Sequence, residues 1–379
     1  MQLRDLSTGD NPALQQVIAA RIREAGPIGF DEFMRMALYH PAHGYYVCCD
    51  PTLDYQSSPN VHPVFGATIA RQVIDFWRLL DRPPLFEVFE AGAGNLRLAH
   101  DMLRAISVEE PNLYDALSHT VQDETLTLDN ASRRIESAGL PLDKVSTASA
   151  LPDGSVIEGC ILSNELLDAL PVHRVRQQDG SLYELRVGLE GERFVDVQVE
   201  APADVLAYFD ALGLRPGEGS VAEVNLDAPI WITRAANALR RGYMLTLDYG
   251  YEASEMYVSW RKRGTLLTFY RHTSGDDPYI HVGQQDITAS VDFTTVRRAG
   301  ESAGLRTYGT TTQSELLANL GAGDLLGQPP APDEIEAYYG LRRAVIELTD
   351  ASGLGRIRAL IQGKGTPDTQ PRGLATPGR

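Results

Sequence analysis

Glu90-Ala-Gly-Ala-Gly94 sets an acid and a Gly-x-Gly bend directly behind an apolar run, Leu85 to Phe89. Leu96, Leu98, Met102, Leu103 and Ile106 follow at helical spacing. Strand, bend, helix is how a doubly wound sheet brings backbone N–H groups and a helix N-terminus up to a nucleotide-like ligand. Glycine is needed because a Cβ would block the ligand. A dinucleotide fingerprint would carry a further glycine where Leu96 stands, which counts against NAD. An acid just before the glycines suits S-adenosylmethionine, whose positively charged amino end a carboxylate can hold directly or through water. A bare structural turn is the competing reading.

Acids at two further strand ends could do chemistry. Asp123 closes an expected second strand, His119 to Asp123, some thirty residues after the bend. An acid there can accept hydrogen bonds from both ribose hydroxyls, with Glu124 as the fallback. Simple opening of the next helix explains these acids equally well. Beyond an expected fourth strand, Val156 to Leu162, comes Ser163-Asn-Glu-Leu-Leu-Asp168. On a helical turn Glu165 and Asp168 would share a face. Together they could clamp a cation or guanidinium, and one could take a proton from a nitrogen nucleophile. A capping role for Asn164 is the rival account. His40 and His43 lack a Cys or acid partner at ligand spacing, so no metal site is expected.

The elements that must position these groups follow in chain order. Residues 1–64 read as a helical cap, with helices over Asn11 to Ala25 and Phe30 to Leu38 and a loop rich in Tyr and His, Tyr39 to Tyr46. Residues 65–171 form the first part of an α/β core, entered by a helix from Val64 to Leu80. Residues 172–226 read as an inserted segment of hairpins, turned at Asp179-Gly180 and Glu190-Gly191, with a helix at Ala203 to Leu212. Residues 227–362 complete the core, with a fifth strand at Tyr243 to Asp248 and a long lid loop at 252–286. The sixth and seventh strands fall near Leu305 to Tyr308 and Ile357 to Ile361. Residues 363–379, rich in Pro, Gly and Thr, read as a flexible tail.

The chain has 379 residues and a net charge of −17, which disfavours a partner held through phosphates and suits a basic protein or a cationic small molecule. No apolar run approaches membrane-spanning length. Cys48, Cys49 and Cys160 make neither a disulfide framework nor a zinc set. The first ten residues have neither a signal-peptide core nor a transit-peptide composition, so a cytoplasmic location is expected.

A run of ordered motifs then narrows the reading. They are Gly26-Pro-Ile-Gly-Phe30, Ala37-Leu-Tyr-His-Pro41, His43-Gly-Tyr-Tyr46, Ser57-Ser-Pro59, Phe65-Gly66, Glu90 to Gly94, Asn164-Glu-Leu-Leu-Asp-Ala-Leu-Pro-Val172, Leu247-Asp-Tyr-Gly-Tyr251, Gly264-Thr-Leu266, Tyr270-Arg-His272, Asp286-Ile-Thr-Ala289 with Val291-Asp-Phe293, and Gln362-Gly-Lys-Gly365. The set resembles the MidA-like family of S-adenosylmethionine-dependent methyltransferases, which includes a mitochondrial complex I assembly factor that methylates arginine. The resemblance implies a class I, Rossmann-like seven-stranded sheet with a helical N-terminal cap and an inserted α+β substrate segment. It implies that Glu90, Gly92 and Gly94 hold the methionine end of the cofactor and Asp123 the ribose. Ser58, Pro59 and Asn164 would touch the cofactor, and Asn164, Glu165 and Asp168 would form the catalytic set. The acceptor it implies is a protein, with arginine favoured. A small-molecule acceptor, or a non-catalytic assembly protein keeping the fold, stays open, as does a homodimer; neither nucleic acid nor membrane is expected as a partner. The chain departs from the family at Asn60, where an acid is usual, and at Leu96, where a glycine is usual. The first bears on the acceptor, the second on the cofactor pocket.

Overall fold

The computed structural model describes residues 11–127, 130–327 and 335–375. The chain forms two compact units. One gathers Ser57–Leu166, Ile232–Tyr249 and Arg297–Arg379; the other gathers Met1–Gln56, Leu167–Trp231 and Gly250–Val296.

The first unit is built on a seven-stranded sheet. Its strands are β1 (Phe86–Ala91), β2 (Leu117–Gln122), β3 (Val145–Ala148), β4 (Ile157–Asn164), β5 (Leu239–Asp248), β6 (Arg306–Thr312) and β7 (Arg358–Lys364), in spatial order β6-β7-β5-β4-β1-β2-β3. β7 runs antiparallel to both β5 and β6, while β3, β2, β1, β4 and β5 pair in parallel. The seven-stranded α/β sheet expected from the sequence is therefore present. Its central strands are apolar almost throughout because both faces are covered. Val88, Leu162, Tyr243 and Leu245 share one core with Phe65, Ile69, Val73 and Phe76 of the helix Val64–Leu79 and with Leu98, Met102 and Ile106 of the helix Arg97–Glu109. Phe76 stacks on Tyr243 at 4.2 Å between ring centroids.

The tail expected to be flexible is docked over its described part. The Tyr308 hydroxyl donates to Thr366, the Arg372 N–H to Asp75 and the buried Gly373 N–H to Gln72. Composition misled here because a Pro/Gly/Thr segment carries little apolar side chain, yet its backbone groups find fixed partners. Residues 376–379 lie outside the described residues.

The second unit holds the helices Pro12–Ala25 and Phe30–Tyr39. The first is capped by Asn11, whose side chain accepts the Leu14 N–H. A four-stranded antiparallel sheet runs in the order Arg193–Glu200, Ser181–Glu190, His173–Gln178, Val221–Val224. Its first hairpin turns on Asp179 and Gly180, both at positive φ, the conformation that a two-residue Asp-Gly loop favours. Phe30, Phe33, Phe194 and Tyr279 pack edge to face.

The 252–286 segment also differs from the expected lid loop of the core. It belongs to this second unit, and it contains a small antiparallel sheet of Leu267–Tyr270, Thr273–Gly275 and Asp286–Thr288. Its hairpin turns on Arg271 and His272, two non-glycine residues at positive φ. Nothing in their type announces such a turn. Asp54 explains it: its carboxylate accepts the Arg271 N–H and its carbonyl the His272 N–H.

Asp286 sits deep in this unit, with Tyr46 donating its hydroxyl to the carboxylate at 2.9 Å. Burial pushes the Asp286 carboxyl up to about 7, the Tyr46 and Ile287 donors oppose the shift, and Asp54 adds to it. A raised carboxyl favours the folded state while protonated. That contribution is present in full below the unfolded value near 3.8 and is lost as pH rises to about 7. We expect Asp286→Asn to flatten the fall in thermal midpoint between those pH values relative to wild type. Parallel curves for the two proteins would contradict the assignment.

Candidate functional site

The bend after β1 is fixed by β2. The Gly92 and Ala93 N–H groups both donate to the Gln122 carbonyl, at 2.8 and 3.0 Å. Gly92 and Gly94 both lie at positive φ, +70° and +50°. A Cβ on Gly92 would come within 3.0 Å of Leu166 Cδ1, whereas one on Gly94 would project into open space with nothing closer than 4.0 Å. Gly94 is exposed, and a side chain there would meet only open space.

Asp123 lies directly beyond β2. One carboxylate oxygen accepts the Gly94 N–H at 2.8 Å, and the other accepts the Thr125 N–H and hydroxyl. Arg134 donates to the Gly94 carbonyl. The acid and the bend are therefore locked together. Glu124, the fallback, is exposed.

Glu90, at the penultimate position of β1, is buried. His119 on β2 approaches its Oε2 through Nε2 at 2.9 Å. Oε1 takes no hydrogen bond from the described residues.

Leu96 sits at φ +67° as the residue before the helix Arg97–Glu109, and its side chain is 1 % exposed within the core of this unit. The departure from glycine thus fills the core rather than crowding the bend. Leu96→Gly should relieve about 1–2 kcal/mol of left-handed strain and lose about 2–5 kcal/mol of buried leucine. A urea-unfolding midpoint lower by the equivalent of about 2 kcal/mol is expected; a raised midpoint would show that strain outweighs packing.

The expected helical turn over Glu165 to Asp168 does not form. Glu165 takes φ +51°, which breaks the chain direction straight after β4. The Glu165 N–H donates to the Leu247 carbonyl, and the Leu166 N–H to the buried Asp248 carboxylate. Held this way, the Glu165 carboxylate accepts the Ser58 N–H and the Asn164 side-chain amide through Oε1, each at 3.1 Å. The Asn164 oxygen is buried and has no partner among the described residues. Ser58 contributes through its backbone, because its hydroxyl is buried and donates to Gln313 at 2.9 Å. Pro59 follows Ser58 in the short helix Ser58–Val61. Asn60 donates to Ser57 and accepts from Asn95.

Glu90, Gly92, Gly94, Asp123, Asn164, Glu165, Ser58 and Pro59 therefore all belong to the seven-stranded unit. The first six lie at the carboxyl ends of β1, β2 and β4. Asp168 belongs to the other unit, where its carbonyl accepts the Ala289 N–H. Glu165 and Asp168 therefore do not share a helix face. Asp248, Gln313 and His119 are the residues sequence reasoning left without a role. Asp248 announces itself only as an acid ending a strand, and Gln313 gives no signal at all. His40 and His43 stack on one another at 5.2 Å. Among the described residues, Asp31, His173 and Glu184 come within ligand distance of each other, but Arg186 already takes the second Glu184 oxygen, so the cluster is an ion-pair network.

This donor set suits an S-adenosyl group. Glu90 Oε1 and the Asn164 oxygen are acceptors without a partner among the described residues, the kind of group an ammonium needs, and the Asp123 carboxylate stands against the Gly94 N–H. Residues 68–311 match the family model described as "Putative S-adenosyl-L-methionine-dependent methyltransferase". The chain belongs to this family. As a member it is a methyltransferase whose cofactor is S-adenosylmethionine.

Among curated proteins it is similar to the mitochondrial protein arginine methyltransferase NDUFAF7 of Mus musculus, 26% identical over 88% of this chain and 83% of that protein. The Drosophila melanogaster homologue is 27% identical over 90% and 83%. Among solved structures, a Burkholderia thailandensis protein described as a "likely methyl transferase" and "bound to S-adenosyl-homocysteine" matches with a TM-score of 0.86 and 29% identity, over 96% of this chain and 95% of that one. These relatives correct one expectation. The curated ones are named mitochondrial, which points away from the cytoplasmic location read from the N-terminus. The make-up of ten residues does not report the compartment in which a fold works.

Proposed function

We propose that this methyltransferase acts on a guanidinium nitrogen of an arginine in a protein. The observation that carries the reading is the Glu165 carboxylate, fixed after β4 by the Ser58 N–H and the Asn164 amide. The names of its curated relatives support it, and so does the charge of −17, which favours a basic acceptor and disfavours nucleic acid. S-adenosylmethionine supplies a methyl group already activated on a sulfonium. Glu90 and Asn164 would accept hydrogen bonds from its ammonium, and Asp123 would hold its ribose hydroxyls. Glu165 would orient the guanidinium nitrogen for in-line attack and would accept the proton that nitrogen gives up on methylation. Ser58 and Asp248 act as positioning residues for that carboxylate.

Incubating the protein with methyl-labelled S-adenosylmethionine and cell extract, then hydrolysing the acid-insoluble fraction, tests the reading. Labelled methylarginine is the expected product. Label confined to small molecules, or to another amino acid, would overturn it.

A further inference from the structure

The two carboxylate oxygens of Glu90 differ in their surroundings. Its Oε1 takes no protein donor among the described residues, while its Oε2 lies 2.9 Å from Nε2 of His119, which is fully buried on the adjacent strand. The pairing is set by register: β2 runs parallel to β1, with Val88 opposite His119 and Glu90 opposite Val121, so both side chains leave the sheet on the same face. The other ring nitrogen, Nδ1, is buried and has no partner among the described residues. An N–H at Nδ1 would be a buried donor with nothing to accept it, so the ring carries its proton on Nε2 and donates it to Glu90. The His119 backbone is fixed as well, its N–H donating to the Lys144 carbonyl.

We infer that His119 is a positioning residue for cofactor binding: it occupies Glu90 Oε2 and so turns Oε1 toward the ammonium of the S-adenosyl ligand. This rests on the reading that Glu90 holds that ammonium. Without the ring donor, a buried carboxylate flanked by apolar β-strand neighbours has no reason to keep one rotamer. The charged face around it is sparse. Glu90 comes from β1, and Lys144, just before β3, spends its ammonium on the carbonyls of Tyr114 and Asp115.

Three proteins separate the possibilities. Glu90→Gln tests the parent reading, His119→Phe removes the donor while keeping a ring of similar size, and His119→Gln restores an N–H donor near the Nε2 position. Calorimetric affinity for S-adenosylhomocysteine should fall about tenfold or more in Glu90→Gln and in His119→Phe, and recover most of the way in His119→Gln. In turnover, His119→Phe should raise KM for S-adenosylmethionine with kcat changed far less. The wild-type protein gives an independent readout: the His119 ring should show the nitrogen chemical shifts of a neutral imidazole protonated at Nε2, assigned by their loss in His119→Gln. Unchanged affinity in Glu90→Gln would overturn the parent reading. Weak binding in Glu90→Gln but wild-type binding in His119→Phe would overturn the inference alone. So would a His119→Gln variant as weak as His119→Phe, or a ring protonated at Nδ1.

Discussion

Glu165→Gln should lower methyl transfer by about 10²–10⁴-fold, the range of a lost general base, while affinity for S-adenosylhomocysteine stays within about threefold of wild type (under ~0.7 kcal/mol). Glutamine keeps the shape and an oxygen acceptor for the Ser58 N–H and the Asn164 amide, so the turn after β4 survives. What it cannot do is take a proton from a guanidinium nitrogen. The measurement pairs single-turnover transfer with calorimetry on the same preparation. A collapse of cofactor affinity with transfer lost only in proportion would show that Glu165 holds the cofactor rather than the acceptor.

The second large effect is expected at Asp123. Asp123→Ala should weaken S-adenosylhomocysteine binding by about a hundredfold or more, since hydrogen bonds to a charged acceptor are worth about 1.5–3 kcal/mol each and a ribose offers two. The Gly94 N–H and the Thr125 hydroxyl also lose their acceptor, so the bend itself loosens. Saturating cofactor should restore most of kcat, because Asp123 touches neither the methyl nor its acceptor. An alanine variant that binds like wild type would move the ribose elsewhere, with Glu124 the next residue to replace.

The two acids had different legibility in the sequence. The positions of Glu90, Gly92, Gly94 and Asp123 at strand ends were readable because strand ends and glycine bends are local, and the parallel sheet then brings adjacent strand ends together. The sheet was readable from its central strands, β1, β4 and β5, which are short apolar runs separated by helical periodicity, whereas β2, β3 and β6 are largely polar. The place of Glu165 just past the fourth strand was readable, but its conformation was not. A helical turn is the default for Asn-Glu-Leu-Leu-Asp, and the left-handed Glu165 is imposed from outside by the Leu247 carbonyl and the Asp248 carboxylate. The Asp168 pairing fell with that turn. The hairpin at Arg271 and His272 was hidden similarly, since Asp54, more than two hundred residues earlier, is what stabilises it. Leu96 teaches the converse. A residue that breaks the glycine pattern looked like a threat to the pocket, yet its side chain leaves the bend for the core, which no one-dimensional pattern can show.

The most direct test is a crystal structure with S-adenosylhomocysteine bound. We expect the ligand's ammonium within about 3 Å of Glu90 Oε1 and the Asn164 oxygen, both ribose hydroxyls on Asp123, and the sulfur turned toward the Glu165 carboxylate. A ligand bound away from the Gly92–Gly94 bend, or a Glu165 carboxylate turned from the sulfur, would contradict the account.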